Sequence, residues 1–150
     1  MNFMSIAIAL HVLAIVVWVG GMFFAHQVMR PAAVTVLEPP HRLRLWVAGF
    51  KRFFPWVWLC IATVLITGFW MFFQFPTPPL FMHIMLGLGI VMMLIFFHVF
   101  FAPYNKLKKA VKEENWKVGG AALNQIRMLV GINTLIGVIT ILVAIAGKSF

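Results

Sequence analysis

Four long apolar segments separated by short polar connections dominate the sequence. A transmembrane helix needs about 20 mostly apolar residues, and four segments reach this length: roughly residues 3–29, 53–75, 79–102 and 124–147. The first is too long for a signal peptide and lacks a small-residue cleavage site, so we expect it to be retained. The pattern predicts an all-α protein, with residues 1–150 forming one transmembrane domain, an up-down four-helix bundle.

The basic residues fall almost entirely in two of the connections. They occupy the 30–52 and 103–123 connections, with Arg127 just beyond, whereas the 74–79 connection (QFPTPP) carries no charge. The positive-inside rule therefore predicts cytoplasmic basic connections and both termini outside. We expect a multi-pass protein of a bacterial-type inner membrane, in contact with the lipid bilayer.

The composition supports the membrane class and argues against nucleic-acid binding. The chain is 63% hydrophobic and 10% charged, far less charged than a soluble domain. Its net charge of +9 comes from blocks between apolar spans, as membrane topology requires. In the 30–52 connection, an apolar face including Leu43 and Phe50 predicts an interfacial helix. That helix would anchor to anionic headgroups or dock a soluble partner.

Four of the five histidines form a repeated pattern. The motif H-x14-H-x4-P begins at His11 in the first span and again at His83 in the third, so that His26 and His98 are its second histidines. Fifteen residues of α-helix rise about 22 Å and leave a phase difference near 60°. Each pair therefore lies on roughly one face, at two depths of the membrane. In an up-down bundle the first and third helices are parallel, which brings the two copies level.

Two levels of paired histidines are typical of a b-type cytochrome. We predict axial ligation of one or two haem b groups by His11 with His83 and by His26 with His98. The diagonal helices of the bundle would then face each other across the porphyrin. Hydrogen bonding to neighbouring helices and a metal site without porphyrin are the alternatives.

Two further features fit a haem between these helices. Gly20 and Gly21 lie between the histidine levels and would leave room for a flat macrocycle, although close helix packing also explains them. Arg30 and Arg127 lie near the inner level, where they could pair with haem propionates. Both features are included in the predicted cofactor site.

Copper is the alternative cofactor, and catalytic residues are not identified. Imidazole and thioether ligands suit copper. Methionines in or beside the spans are plentiful: Met22, Met29, Met71, Met82, Met85, Met92 and Met93. No span contains Asp or Glu, and no serine–histidine–acid set is present. A structural membrane subunit without cofactor also remains open.

The first and last spans resemble a known family. LHVLAIVVWVGGMFF is similar to the first helix of CopD-like membrane proteins and of HemJ proteins, and IRMLVGINTLIGVITILVA is similar to the CopD-like last helix. The family pattern carries over onto His11, Trp18, Gly20, Gly21 and His83. The resemblance implies a small four-helix membrane protein over most of the chain.

The two branches of the resemblance imply different chemistry. HemJ-type proteins bind haem b and are associated with oxidation of protoporphyrinogen IX, but they are expected to carry a lysine where this chain has Met85. CopD-type proteins are associated with copper uptake or resistance. Our leading hypothesis is a haem protein that transfers electrons, or acts as an oxidoreductase, with a quinone or redox protein as partner. A homo-oligomer is compatible with it, and copper transport is the alternative.

Overall fold

Six α-helices make up the protein in the computed structural model, which describes residues 2–149. A π-helical turn, Phe24–Met29, joins the first two helices, and a 3-10 turn, Gly147–Ser149, follows the last. The helices are α1 (Phe3–Phe23), α2 (Arg30–Val36), α3 (Pro39–Phe73), α4 (Leu80–Phe101), α5 (Pro103–Lys112) and α6 (Trp116–Ala146).

The all-helical membrane fold is confirmed. Four helical segments are long and apolar enough to cross a membrane, and each overlaps one of the four predicted spans almost completely. Large apolar side chains cover the outside of the bundle, among them Leu13, Val16, Leu135 and Leu142. An exposed apolar surface of this extent is what a lipid-facing bundle presents.

The helices extend well beyond the predicted spans at one end. The segment predicted as an interfacial helix, with Leu43 and Phe50, is not a separate helix, because α3 begins at Pro39 and runs unbroken through Pro55. Its 35 residues span about 52 Å, compared with about 30 Å for the hydrocarbon core. We call the end formed by the start of α3, by α5 and by the start of α6 the basic end. The opposite end, where α1 begins and α6 finishes, is the terminal end.

The apolar face of the basic connection packs on protein. Leu43 and Phe50 are buried. Leu43 lies against Gly119, and the Phe50 ring meets Tyr104 edge-on with centroids 6.0 Å apart. This face therefore docks on α5 and α6, which explains why α3 continues as one helix instead of lying flat on the lipid.

The order of the helices around the bundle follows from their contacts. The helix α1 packs on α3 and α6, and α4 packs on α6 and α3, so α1 and α4 occupy diagonal positions, as predicted. The core of the bundle contains three almost completely buried side chains: Trp18 on α1, Met92 on α4 and Ile126 on α6. The side-chain amide of Asn133 donates to the Met92 carbonyl at 3.2 Å, a polar link between α6 and α4 inside the core.

Candidate functional site

The first histidine of the motif lies on the inner face of α1. His11 is half-buried and aligns within about 20° of the mean direction of the buried α1 residues. Its Nδ1 is 2.9 Å from the Thr67 hydroxyl on α3. Its Cε1 lies close to Gly68, where an added Cβ would approach to 3.2 Å. A threonine and a glycine of α3 thus fix the orientation of this imidazole.

The hydrogen bonds around Thr67 define the protonation of His11. The Thr67 hydroxyl donates its one proton to the Thr63 carbonyl at 2.6 Å. The same oxygen therefore accepts from His11, which places a proton on Nδ1. In the neutral imidazole, Nε2 then carries a free lone pair. A ring whose other nitrogen donates to the protein is the usual arrangement of a metal-binding histidine.

The third-span partner, His83, shows the same protonation in a different setting. It lies in the first turn of α4, where its Nδ1 is 3.2 Å from the Pro79 carbonyl. A carbonyl only accepts, so this nitrogen is also protonated and Nε2 is free. The ring meets Phe72 of α3 edge-on, with centroids 5.0 Å apart. His83 is otherwise exposed.

The second histidine of α1 is oriented differently. His26 lies in the π-helical turn, where the Arg30 N–H donates to the Ala25 carbonyl five residues back. The Gln27 side-chain nitrogen donates to His26 Nδ1 at 3.1 Å, so this nitrogen is the acceptor of the ring. Nε2 packs against α6, since a Cβ on Gly131 would lie 2.8 Å from it. Protein atoms therefore contact both ring nitrogens of His26.

The second histidine of α4 lies away from the bundle. His98 is exposed, and it projects roughly 150° around the helix from the mean direction of the buried residues Met92, Met93, Phe96 and Val99. His83 lies at a similar angle. The α4 imidazoles therefore do not enter the core between the diagonal helices, and their placement gives no support to a porphyrin there.

The glycines of the first span do not leave room for a macrocycle. Gly20 faces open space on the exposed side of α1. At Gly21 the ring of Phe53 occupies the position that a Cβ would take. The alternative explanation, close packing of α1 on α3, therefore accounts for Gly21.

The two arginines of the predicted site line a cavity at the basic end. Arg30 and Arg127 are both half-buried and border, with His26, a cavity of about 190 Å³. Arg42 contributes a third guanidinium to the same wall. The structure thus brings His26, Arg30 and Arg127 together, as the sequence predicts, but leaves His98 outside this group.

Two methionines accompany His11 at the terminal end: Met71, which is among the methionines noted in the sequence, and Met4, which was not predicted. Within residues 2–149, no cluster of three or more His, Cys, Asp or Glu side chains could hold a metal ion. Met71 lies one turn beyond Thr67 on the same face of α3, and Met4 lies two turns before His11 on the same face of α1. Both are half-buried. The i, i+4 spacing of Thr67 and Met71 is the sequence pattern that places both side chains on one face of α3.

Residues 47–146 match the family model of CopD, copper resistance protein D. This segment is two thirds of the chain and includes most of α3 and the whole of α4, α5 and α6. The chain belongs to the CopD family. No curated protein and no solved structure matches it.

The CopD match bears on one side of the candidate site. It includes the α3 and α4 residues Thr67, Met71 and His83, whereas His11 on α1 precedes the matched segment. Family and fold together identify a multi-pass membrane protein of a copper-resistance family. The CopD branch of the resemblance is thereby confirmed, whereas the HemJ branch gains no specific support.

Proposed function

We propose that this CopD-family protein binds monovalent copper within the membrane, at the terminal end of the bundle. The observation that carries the proposal is the free Nε2 of His11, whose Nδ1 is held by Thr67 at 2.9 Å. An imidazole fixed in this way is prepared to act as a ligand. The copper ion is cargo, in keeping with the copper-resistance family.

The ligand set we propose is His11 Nε2 with the thioether of Met71. The helices α1 and α3 run antiparallel, and His11 contacts Thr67 and Gly68. Met71 is therefore one turn nearer the terminal end, on the α3 face that meets α1. Imidazole and thioether are both neutral donors, and thioether is a soft ligand that favours Cu(I).

The route of entry we propose passes Met4 and His83. Met4 lies two turns closer than His11 to the terminal end of α1, and His83 packs on Phe72, the residue after Met71. His83 presents a second free Nε2 at the exposed surface. Copper would thus pass from exposed ligands to the half-buried His11.

The charge distribution favours a singly charged cation. The three acidic residues of the chain, Glu38, Glu113 and Glu114, all lie at the basic end. Within residues 2–149, the terminal end therefore has no side-chain carboxylate to neutralise a divalent ion. A buried charge in a membrane is costly, and a monovalent ion held by neutral soft ligands reduces that cost relative to a divalent one.

Copper binding by the purified protein tests this function. We expect about one Cu(I) per chain under anaerobic reducing conditions, and a loss of about tenfold or more in affinity for His11→Ala and Met71→Leu. His41→Ala and His98→Ala are matched controls, because both side chains are exposed and remote from the site. Copper retained equally by all four variants, or by none including wild type, would contradict the proposal.

A b-type haem is the second candidate, and one observation favours it. The free Nε2 of His11 is a nitrogen that haem iron could use as an axial ligand, whereas His83 does not face it across the core. The electron-transfer and oxidoreductase hypotheses depend on this haem, as does the pairing of His26 with His98, which remains a prediction. A Soret band with stoichiometric iron in the purified protein would favour haem, and its absence together with bound copper would favour the first proposal.

A further inference from the structure

The cavity at the basic end carries a second, independent inference. Its volume of about 190 Å³ is many times the roughly 10–15 Å³ that one water needs. The π-helical turn and α2 form one wall, the start of α3 another, and the first half of α6 the third. Val34, Pro39 and Asn124 are exposed at its edge, so the cavity is accessible from the surface.

Positive charge dominates its polar lining. Arg30, Arg42 and Arg127 all border the cavity and are all half-buried. Arg30 reaches the cavity from α2 and Arg127 from α6, so like charges meet on two of its walls. Within residues 2–149, one ion pair is present, and it joins Arg44 to Glu114 at 3.7 Å. None of the three cavity arginines is therefore neutralised by an acid of the described chain.

Three unneutralised guanidinium groups in a partly buried cavity indicate an anion. Like charges held close together cost free energy unless a counter-charge binds between them. Guanidinium groups bind phosphate through paired hydrogen bonds with matching geometry. His26 also borders the cavity and adds a polar ring to its lining.

The apolar lining indicates that the anion is part of an amphiphile. Trp46, Phe50 and Trp116 form much of the remaining wall. Tryptophan is enriched at the level of lipid headgroups, and Arg30 directly follows the last apolar residues of the first predicted span. A cavity with arginines at this level and aromatic rings beside them is suited to a phospholipid headgroup.

We propose that this cavity binds the phosphate of an anionic phospholipid. Arg30 and Arg127 clamp the phosphate from α2 and α6, and Arg42 adds charge from α3. The acyl chains extend from the cavity toward the membrane-spanning part of the bundle, along its exposed apolar surface. Because this site is at the opposite end of the bundle from His11 and Met71, it can exist whether or not the protein binds copper.

Native mass spectrometry of the full chain, delipidated in detergent, tests the proposal. Phosphatidylglycerol is titrated against wild type and against Arg30→Gln/Arg127→Gln. We expect the double variant to lose about tenfold or more in affinity. Arg52→Gln is the matched control, because this exposed α3 arginine lies outside the cavity, and its affinity should stay within about twofold of wild type. Equal binding by all three proteins would overturn the proposal.

Two further arms identify the source of the phosphate and guard against misfolding. Phosphatidylcholine should bind more weakly than phosphatidylglycerol, and millimolar inorganic phosphate should leave the bound lipid in place. Displacement by inorganic phosphate would show a soluble-anion site and overturn the lipid assignment. If the double variant does not fold, Arg127→Lys keeps the charge but loses paired hydrogen bonding, so it should show an intermediate affinity. If Arg127→Lys and Arg127→Gln both bind phosphatidylglycerol as tightly as wild type, Arg127 does not hold the lipid phosphate.

Discussion

The two copies of H-x14-H-x4-P in this protein have the same spacing but different surroundings. In the copy on α1, His11 and His26 are both half-buried against neighbouring helices. In the copy on α4, His83 and His98 are both exposed. The same sequence pattern therefore gives two inward imidazoles on one helix and two outward imidazoles on the other.

Glycines on the partner helices account for the inward copy. His11 packs on Gly68 of α3, and His26 packs on Gly131 of α6. Each glycine lacks the Cβ that would otherwise occupy the space of the imidazole. Membrane helices approach closely where such small residues lie. The facing helix therefore decides whether a histidine of this motif is buried.

The prolines that end the two copies also have different effects. After His26 the π-helical turn ends at Met29, and Pro31 lies in the first turn of α2, so the chain stays helical. After His98 the helix ends at Phe101, and the backbone at Ala102 adopts φ −115° and ψ −87° before Pro103 begins α5. A π-helical turn of this kind often occurs at functional sites. Here it positions His26 and Arg30 beside the basic-end cavity.

The largest effect on copper binding is expected from a substitution at Thr67, which orients His11 in the inward copy of the motif. Thr67→Val keeps the shape of the side chain but removes the oxygen that accepts from His11 Nδ1. Loss of such an orienting partner typically lowers metal affinity by about 10–100-fold. We therefore expect this loss in Cu(I) affinity, measured by competition with a chromophoric Cu(I) chelator.

Thr63→Val is the matched control for this measurement. Thr63 lies one turn earlier on α3, and its hydroxyl donates to the Leu59 carbonyl. Thr63→Val replaces the same hydroxyl by a methyl group but leaves the hydrogen bond between His11 and Thr67 in place. If Thr67→Val and Thr63→Val bind copper equally well, Thr67 does not orient a copper ligand.

A smaller effect is expected from adding a methyl group beside His26. A Cβ at Gly131 would lie 2.8 Å from Nε2 of this histidine, so Gly131→Ala must displace the ring. We expect a loss of about 1–2 kcal/mol in unfolding free energy relative to Gly87→Ala, by the usual cost of overpacking. Gly87 lies within α4 with no neighbour within 4 Å of such a Cβ, so it matches the change in helix propensity. The measurement is unfolding of both variants in mixed micelles.

A double-mutant cycle identifies the source of this loss. Replacing His26 by Ala in the Gly131→Ala background should restore part of the lost stability, with a coupling of about 0.5 kcal/mol or more. Additive effects of the two substitutions would show that His26 does not pack on Gly131.

Most of the fold could be predicted from the sequence because membrane burial imposes simple rules. The apolar segments predict the four spans, and short connections predict the diagonal placement of α1 and α4, which the structure confirms. The length of α3 could not be predicted. Its basic first half resembles an interfacial helix by composition, and only its contacts with Gly119 and Tyr104 show that it packs on α5 and α6.

The candidate site was predictable only in part. Periodicity identifies His11 and His83 as residues of one end, and the cluster of His26 with Arg30 and Arg127 follows from their similar depth. The orientation of each imidazole depends on Thr67, Pro79 and Gln27. The first of these lies on a different helix from its histidine, so no local pattern connects them.

The smallest effect is expected at His98, and it tests the comparison from the α4 side. His98 is exposed on the face of α4 opposite the buried residues, so His98→Leu should change the unfolding free energy by no more than about 0.5 kcal/mol. His26→Leu should cost more, because the branched side chain must replace a ring fitted against Gly131. Unfolding of both variants in the same micelles measures the difference. Equal losses would show that His98 is buried in the membrane-embedded protein, as in a contact with a second copy or a bound cofactor, and the contrast between the two copies of the motif would then fail.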